Sequence, residues 1–404
     1  MRSKVIFTNC CIGGGGPAGI MLGYLLARRG IDVTVLEKWP DFFRDFRGDT
    51  IHPSTMEILS ELGLLEDFLK LPHDTISQIK ADIGKHEVHL ADFSHLKVHS
   101  PFIALIPQWD FLNFISDKAK KYYTFHLQME TEVIDLIWKG EKVIGVKARN
   151  KDGDFDIYSK LVIGADGRSS KIREKSNLIP KTYSAPMDVL WFRISRKEND
   201  SASVFGRVDM GKIIIMLNRK EYWQCGLLIR KGEFENIKKM GIEAFRKNII
   251  EIMPMLNDRA PEIQQWDQIK LLTVTVDYLH KWYCEGLLCI GDSAHAMSPI
   301  GGVGINLAIQ DAVAAANILA PAFLNNVLSQ NVLARIQKRR MLPVRFIQRI
   351  QVLIQNRVIN KVLGRSIHPT VPLPLKLFKW FPFLRRIPGY IVGMGLRAEH
   401  VKEG

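Results

Sequence analysis

The chain has 404 residues, 47% of them hydrophobic, and a formal net charge of +14. That is enough apolar mass for a large core in two or three subdivisions, and no run of about 18 or more apolar residues reads as a bilayer span. Five cysteines, odd in number and mostly inside apolar runs, argue against a disulfide framework, and the adjacent Cys10 and Cys11 point to opposite faces of a strand, which excludes zinc-ligand spacing.

The charge is uneven. Residues 331–404 hold fifteen Lys or Arg against two acids, which leaves the preceding 330 residues near +1. Basicity is a property of the tail and says little about the main body. The first apolar stretch is cut by Asn9 and four glycines and does not read as a secretory signal, so a cytoplasmic location is expected.

In chain order, Val5 to Gly13 reads as a strand with Thr8-Asn9 as its weak point. Gly14-Gly15-Gly16-Pro17-Ala18-Gly19 follows, then an apolar helix from Ile20 to Arg29 capped by Gly30, then a strand Val33 to Leu36 closed by Glu37. Gly14, Gly16 and Gly19 satisfy G-x-G-x-x-G, and Glu37 lies where an acid can bind a ribose. The first glycine allows the turn, the second lets a pyrophosphate approach, and the third lets helix and strand pack closely. Phosphates then meet the positive end of a helix.

Asp41 to Thr50 is a polar, arginine-bearing connection. Arg47 within it reads either as a cation near the pyrophosphate or as a solvated loop residue. A helix over Pro53 to Leu65 follows, with Ser54 or Thr55 at its start, and His52 reads as local structure. Ile76 to Ile106 alternates as strands of a second sheet. Gln108-Trp109-Asp110 opens a helix to Ala119 with Asp110 as its cap. Thr131 to Ile137, Lys142 to Lys147 and Asp154 to Tyr158 form a meander with a hairpin turn at Lys151-Asp152-Gly153-Asp154.

The meander runs into a buried strand ending Gly164-Ala165-Asp166-Gly167, followed by a helix start. A carboxylate there needs a partner, so Asp166 is expected to accept from nearby backbone, Ser170 or Arg173. A third such stretch comes late: Gly286 to Ile290 as a buried strand, Gly291-Asp292 at its end, then Pro299, Gly301, Gly302 and Gly304 before a helix from Ile305 to Leu319. Strand, small-residue loop and helix lay backbone N–H groups against a bulky, partly anionic ligand.

Three strand-ended glycine motifs in this order resemble the flavoprotein aromatic hydroxylases, the single-component FAD monooxygenases of the para-hydroxybenzoate hydroxylase type. The resemblance spans roughly residues 5–340. It implies that Gly14 to Gly19 (Gly14, Gly15, Gly16, Pro17, Ala18, Gly19) hold the ADP half of FAD. Glu37, with Lys38 beside it, takes the adenosine ribose, while Arg47 and Gln108 line the site. The middle motif, Asp166, Gly167, Ser170 and Arg173, is associated with FAD and NAD(P)H. In the late motif Asp292 binds the ribityl chain, and Pro299, Gly301, Gly302, Val303, Gly304, Ile305 and Asn306 form the loop and helix start that face the isoalloxazine. His295 belongs to that motif and reads as structural rather than as a base.

The implied fold is α/β: an FAD-binding Rossmann-like domain of glutathione-reductase type with an inserted β-sheet substrate domain and a helical C-terminal tail. The expected divisions are 1–75, 107–180 and 276–330 for the FAD-binding part, 76–106 and 181–275 for the substrate part, and 331–404 for the basic helical region. The implied chemistry is hydroxylation of an aromatic or polyketide-like molecule by way of a flavin C4a-hydroperoxide, with NADPH or NADH as a transient reductant that has no Rossmann domain of its own. Two other classes stay open: a reductase of isoprenoid or lipophilic substrates, and a non-enzymatic carrier of a prenylated or lipid partner. The W-x-W-x-I-P signature of flavin halogenases is absent.

Within the substrate cover, strands at Asp188 to Ser195, Lys212 to Leu217 and Tyr222 to Ile229 precede a helical excursion from Phe234 to Met253, and Ile269 to Thr275 returns to strand. Trp191, Phe192, Phe205, Met216, Tyr222 and Trp223 are pocket candidates by position, but residues of this kind are more often plain core, and no general base stands out. The tail from Leu333 to Leu363 has helical periodicity interrupted at Pro343, with Phe346, Ile347, Ile350, Ile354, Val358 and Val362 on one face. Arg345, Arg349, Arg357 and Lys361 make a basic stripe. Leu373 to Leu396 adds Trp380 and the Arg385-Arg386 pair. This tail reads either as a solvated basic face packed on the body or as a peripheral contact with the inner face of a membrane and a way in for a lipophilic substrate. Pro372, Pro374, Pro382 and Pro388 argue against a spanning helix. No nucleic-acid-binding module is visible.

Overall fold

The computed structural model describes residues 5–43, 49–200, 206–363 and 369–402. Arg47 and Phe205, singled out above, lie outside these residues.

Strand β1 (Val5–Gly13) is parallel to β2 (Val33–Leu36), and helix α1 (Pro17–Ala27) connects them. Helix α1 begins three residues before the sequence expectation, because Pro17 at its first position lacks only an N–H that has no intrahelical partner anyway. The weak point at Asn9 holds because the Asn9 and Cys10 amides both donate to the Asp32 carbonyl. Next come β3 (Thr50–Ile51), α2 (Pro53–Glu61), α3 (Leu65–Leu69), β4 (Asp74–Ile76), β5 (Gln78–Ile83), β6 (His86–Asp92) and β7 (Ile103–Leu105). Strands β5 and β6 do join the second sheet, but β7 pairs with β3 and β4 in a separate three-stranded sheet. Its residues are buried on both faces, so no alternation marks its partner.

Helix α4 (Gln108–Ala119) has Pro107, not Asp110, at its cap; Asp110 sits in the first turn. Strand β8 (Phe125–Gln128) adds to β2, and β9 (Glu132–Lys139), β10 (Lys142–Asn150) and β11 (Gly153–Gly164) form the expected meander. Strand β11 is the structural hinge of the chain. Its first half pairs antiparallel with β10, while Asp156 to Gly164 runs parallel to β1 and its end to a late strand.

After α5 (Lys171–Lys175) and β12 (Pro180–Tyr183), strands β13 (Met187–Ser195), β14 (Gly206–Asp209), β15 (Lys212–Asn218) and β16 (Tyr222–Arg230) build the second sheet. Helices α6 (Phe234–Lys239) and α7 (Ile242–Ile252) cover it before β17 (Lys270–Leu272) completes an order β17-β13-β16-β15-β14-β5-β6. Phe192, Met216 and Trp223 are buried with Phe245 and Ile249 of α7, so these three pocket candidates are core. Tyr222 lies under the Arg193 guanidinium, 5.0 Å from it. Trp191 faces the other way, into a cluster that includes Ile215 and Ile300.

Strand β18 (Val276–Leu279) pairs with β12 in a separate two-stranded sheet, and β19 (Tyr283–Cys284) and β20 (Leu287–Cys289) return to the main sheet, whose order is β19-β20-β11-β1-β2-β8 with β10 and β9 added beside β11. Helix α8 (Gly304–Leu324) then lies against α1. With the turn before it, α8 is by length and mean hydropathy apolar enough to cross a membrane, but Asn306, Gln310 and Asp311 interrupt its apolar run and most of it is buried inside the fold. Cys10, Cys11, Cys225 and Cys289 are free and buried, and Cys284 is half-buried.

The tail differs most from expectation. Helix α9 (Gln330–Ile354) runs unbroken through Pro343, which is buried beside Val344 and Ile347; their packing offsets the lost hydrogen bond. A π-helical turn at Gln355–Ile359 and α10 (Asn360–Val362) follow. The inward face of this long helix is Val344, Ile347, Gln348, Gln351, Gln355 and Ile359, while Val358, expected on the apolar face, is exposed. Helices α11 (Leu373–Trp380) and α12 (Arg386–Gly393) close the chain.

Candidate functional site

The main sheet brings the three motifs together through strand register. Gly13 of β1 pairs with Gly164 of β11, and Gly164 pairs with Cys289 of β20; on the other side Gly13 pairs with Leu36 of β2. All three glycine loops and Glu37 therefore leave the sheet at one level on its carboxyl edge, where open parallel sheets bind ligands.

The first loop shows what each glycine does. A Cβ on Gly14, whose φ is +107°, would overlap the Ala165 carbonyl, and one on Gly19 would overlap the Gly14 carbonyl. These two glycines are required by the fold itself. A Cβ on Gly16 meets nothing within 4 Å, so its need for glycine lies outside the protein. Glu37 is nearly buried and accepts from the Gly15 amide at 2.9 Å and the Trp39 amide at 3.2 Å. Its carboxylate is thus fixed beside the loop. Lys38 is exposed, with Nζ 5.2 Å from the Trp39 ring centre. Pro17 is half-buried and Ala18 buried, and the ideal Cβ position of Gly291 in the late motif lies 3.2 Å from the Ala18 methyl.

In the middle motif, Asp166 accepts from the Ser170 hydroxyl and, at 3.1 Å, from the Ile172 amide. Burial pushes its carboxyl above the ordinary range, against the pull of these donors. Arg173 was one of its expected partners; the Arg173 guanidinium instead donates to the Ser293 carbonyl at 3.1 Å and the Arg168 carbonyl at 2.6 Å. Gly167, at φ +84°, faces open space. Arg168, an unconstrained position of the motif, reaches the late loop. Its Nε donates to Asp292 Oδ2 at 3.0 Å and its Nη2 to the Met297 carbonyl at 3.1 Å, while Nη1 is buried with no partner among the described residues.

In the late motif, the backbone at Gly301 and Gly302 turns through φ +79° and +63°. Gly301 is exposed, Pro299, Gly302 and Gly304 are half-buried, and Val303 and Ile305 beneath them are buried. A small-residue backbone surface is presented on a hydrophobic base at the start of α8. The Thr50 hydroxyl donates to the Gly302 carbonyl at 3.0 Å. Asn306 does not offer its side chain to the open side: Oδ1 accepts from the His52 amide at 2.9 Å and the Thr55 hydroxyl at 2.7 Å, and Nδ2 donates to the Thr50 carbonyl at 3.2 Å. It locks the helix start to β3 and α2. His295 is buried with Nε2 2.5 Å from Asp311 Oδ2, consistent with a structural role.

Gln108 opens α4, half-buried, with its amide directed to Asp49. Asp49 in turn forms a 2.7 Å ion pair with Arg219, in the turn between β15 and β16 of the second sheet, both nearly buried. Sequence reasoning missed Arg168, an unconstrained position of the middle motif, and Arg219, which lies outside every motif. It also missed the polar face of α9 and the turn after it, where Gln348, Gln351 and Gln355 bind the carbonyls of Asp277, Ala296, Ser298 and Ile300 and the Ser298 hydroxyl. The only signal was glutamine recurring at helical spacing within an otherwise basic and apolar helix.

Open space above Gly16, an unpaired buried Arg168 N–H and the exposed backbone of the late loop suit a large ligand with an anionic middle and a planar end, as FAD has. Comparison with known proteins agrees. The FAD binding domain family matches residues 7–345. The 6-methylpretetramide 4-monooxygenase of Streptomyces rimosus is 27% identical over 403 residues, covering 98% of this chain and 96% of that protein. Among solved structures, the anhydrotetracycline hydroxylase of Streptomyces rimosus superposes with a TM-score of 0.77 at 19% identity, covering 98% of this chain and 78% of that one. A probable FAD-dependent monooxygenase from Pseudomonas aeruginosa gives 0.75 at 18% identity, covering 89% and 99%. The chain belongs to the FAD binding domain family, that of the FAD-dependent monooxygenases of para-hydroxybenzoate hydroxylase type.

Proposed function

We propose that this chain hydroxylates an aromatic, polyketide-like small molecule, using O₂ and NADPH or NADH. The observation that carries this reading is the alignment of Gly13, Gly164 and Cys289 at one sheet edge. It directs three loops to one place, and the second sheet stands over the last of them.

On this reading the residues divide the work by position. Gly14 to Gly19 and the start of α1 hold the pyrophosphate of FAD, and Glu37 the adenosine ribose. Asp292, oriented by Arg168, holds the ribityl chain. Residues 299–305 offer backbone to the flavin ring, with the amino end of α8 beside it to favour negative charge there. When bound, FAD supplies acceptance of hydride from NAD(P)H and activation of O₂ at C4a of its ring. Ile300 joins Trp191, Ile215 and Val208 of the second sheet in one apolar cluster. This wall keeps water from the reacting face and suits an aromatic substrate. One oxygen atom enters an aromatic C–H bond; the other leaves as water with the electrons of the reductant. The substrate named in the Streptomyces rimosus relative, 6-methylpretetramide, supports this class because the two chains match end to end.

The test is coupled turnover. The purified protein should be yellow, oxidise NADPH or NADH faster when a polycyclic phenol is added, and consume equimolar O₂. With isotopically labelled dioxygen, one label should appear in the product. Reduction of a substrate double bond without O₂ uptake would replace this reading with a reductase, and a protein that stays colourless with FAD would leave only a carrier.

A further inference from the structure

Residues 331–398 contain fourteen Lys or Arg and no Asp or Glu. The structure shows where the end of this segment goes. Helix α11, the turn after it and α12 lie on the outside of the molecule, with α11 and α12 packed on β6. Their outward side is apolar to an unusual degree: Leu373 is 67% exposed, Trp380 63%, Phe383 59% and Ile387 58%. Monomeric proteins seldom leave so many large apolar side chains together in water. The cations Lys376, Lys379 and Arg386 are exposed among them.

This surface is firmly attached. Gly389 lies so close to β6 that a Cβ would overlap the Asp92 carbonyl, and Gly393 sits against Phe93, Leu96 and Pro53. The Val392 carbonyl is 2.7 Å from His52 Nδ1, and the Val392 side chain lies 3.9 Å from where a Cβ on Gly301 would be. Helix α12, which carries part of this apolar side, is therefore packed beside the late glycine loop.

We propose that this surface docks on an anionic lipid bilayer. The argument is complementarity. Trp, Phe and Leu enter the boundary between headgroups and acyl chains, and Lys and Arg beside them meet anionic headgroups without a carboxylate in the segment to oppose the contact. Docking there sets the late loop close to the membrane, where a lipophilic substrate is concentrated. The binding claim itself does not depend on the proposed hydroxylation.

The test is flotation of the full chain with vesicles of phosphatidylcholine alone or with phosphatidylglycerol added. Removing the tail at residue 330 is unsuitable, because it would take Arg340 and Gln351 out of the interior. Two surface variants replace it: Trp380→Ser with Phe383→Ser, and Lys376→Glu with Lys379→Glu. The wild type should bind the anionic vesicles at least tenfold more tightly than the neutral ones, and less so as salt rises. Each double variant should lose at least tenfold while keeping its flavin content and melting temperature. Equal binding to both vesicles, no binding, or unchanged binding by the variants overturns the proposal. So does a wild-type dimer that Trp380→Ser with Phe383→Ser converts to monomer without any vesicle binding, since a second copy would then be the occupant.

Discussion

Arg168 Nε donates to Asp292 Oδ2 across 3.0 Å, joining two loops that lie 124 residues apart in the chain. The pair is about one-third exposed, so its Coulomb energy is small. Its value is geometric: it aims Asp292, while Arg168 Nη1 stays buried with no partner among the described residues. Charge-assisted hydrogen bonds contribute roughly 1.5–3 kcal/mol. Arg168→Ala should therefore weaken FAD binding by about 10- to 100-fold, read by quenching of flavin fluorescence. Arg168→Lys should recover little, because an ammonium cannot replace the fork. Wild-type affinity in Arg168→Ala would show that Asp292 needs no orientation.

The glycines of the first loop should separate binding from folding. Gly19→Ala drives a Cβ into the Gly14 carbonyl, and overpacking of this kind costs roughly 1–3 kcal/mol of stability. Gly16→Ala has open space and an ordinary φ of −74°. Its apoprotein should melt within about 0.5 kcal/mol of wild type, yet retain FAD at least tenfold less well, because the added methyl occupies the phosphate approach. Equal FAD affinity in Gly16→Ala would place the pyrophosphate elsewhere.

The sheet edge was legible in the sequence because strand, glycine loop and helix have local signatures. Gly14, Asp166 and Asp292 each follow an apolar run, and the register of β1, β11 and β20 then brings them together. What was not legible depends on long-range partners. Asn306 reads as a motif residue, but its amide is taken up by Thr50, His52 and Thr55. Pro343 reads as a helix break, but buried neighbours carry α9 through it. Half of the inward side of that helix and the turn after it is glutamine (Gln348, Gln351, Gln355), which no hydrophobic periodicity can reveal.

Gln351 supports the late loop most directly. Its Nε2 donates to the Ser298 carbonyl at 3.0 Å and the Ile300 carbonyl at 2.8 Å, and its Oε1 accepts from the Ser298 amide at 3.2 Å. Gln351→Leu keeps the volume but strands these groups, at roughly 1–3 kcal/mol for each one left buried and unpaired. Lower stability in urea and faster amide exchange across residues 298–302 are expected. Unchanged exchange there would mean that the loop holds its shape alone.

Arg340 is fully buried, with Nε 2.9 Å from Asp311 Oδ1 and Nη1 3.3 Å from Glu399 Oε1. Asp311 also accepts from the Gly291 amide at 3.1 Å and lies against His295. Burial alone would raise the Asp311 carboxyl, but His295 and Arg340 outweigh it and hold the group below its usual range. Arg340→Met takes the guanidinium from buried Asp311, which keeps only His295, while Glu399 keeps Arg339 at 2.7 Å; breaking the buried Arg340–Asp311 pair costs about 3–5 kcal/mol. A chemical denaturation midpoint equal to wild type would show that water reaches this network.

His52 ties the late helix to the tail: its amide donates to Asn306, its Nδ1 contacts the Val392 carbonyl, and Nε2 is buried without a partner among the described residues. Burial lowers its pKa to about 4, with the Val392 carbonyl opposing weakly. The unfolded chain, with an ordinary histidine near pH 6.5, binds the proton more readily than the folded one. Stability is thus complete above about pH 6.5 and is lost as pH falls toward 4, by up to roughly 3 kcal/mol at 1.36 kcal/mol per unit. Asp311 does not confuse this window, because its depressed carboxyl acts only below the ordinary carboxylate range. His52→Gln should flatten the difference in unfolding free energy between pH 6.5 and 4.5 relative to wild type, whatever its absolute stability. Equal pH slopes in the two proteins would show that His52 takes up its proton in the folded state as easily as in water.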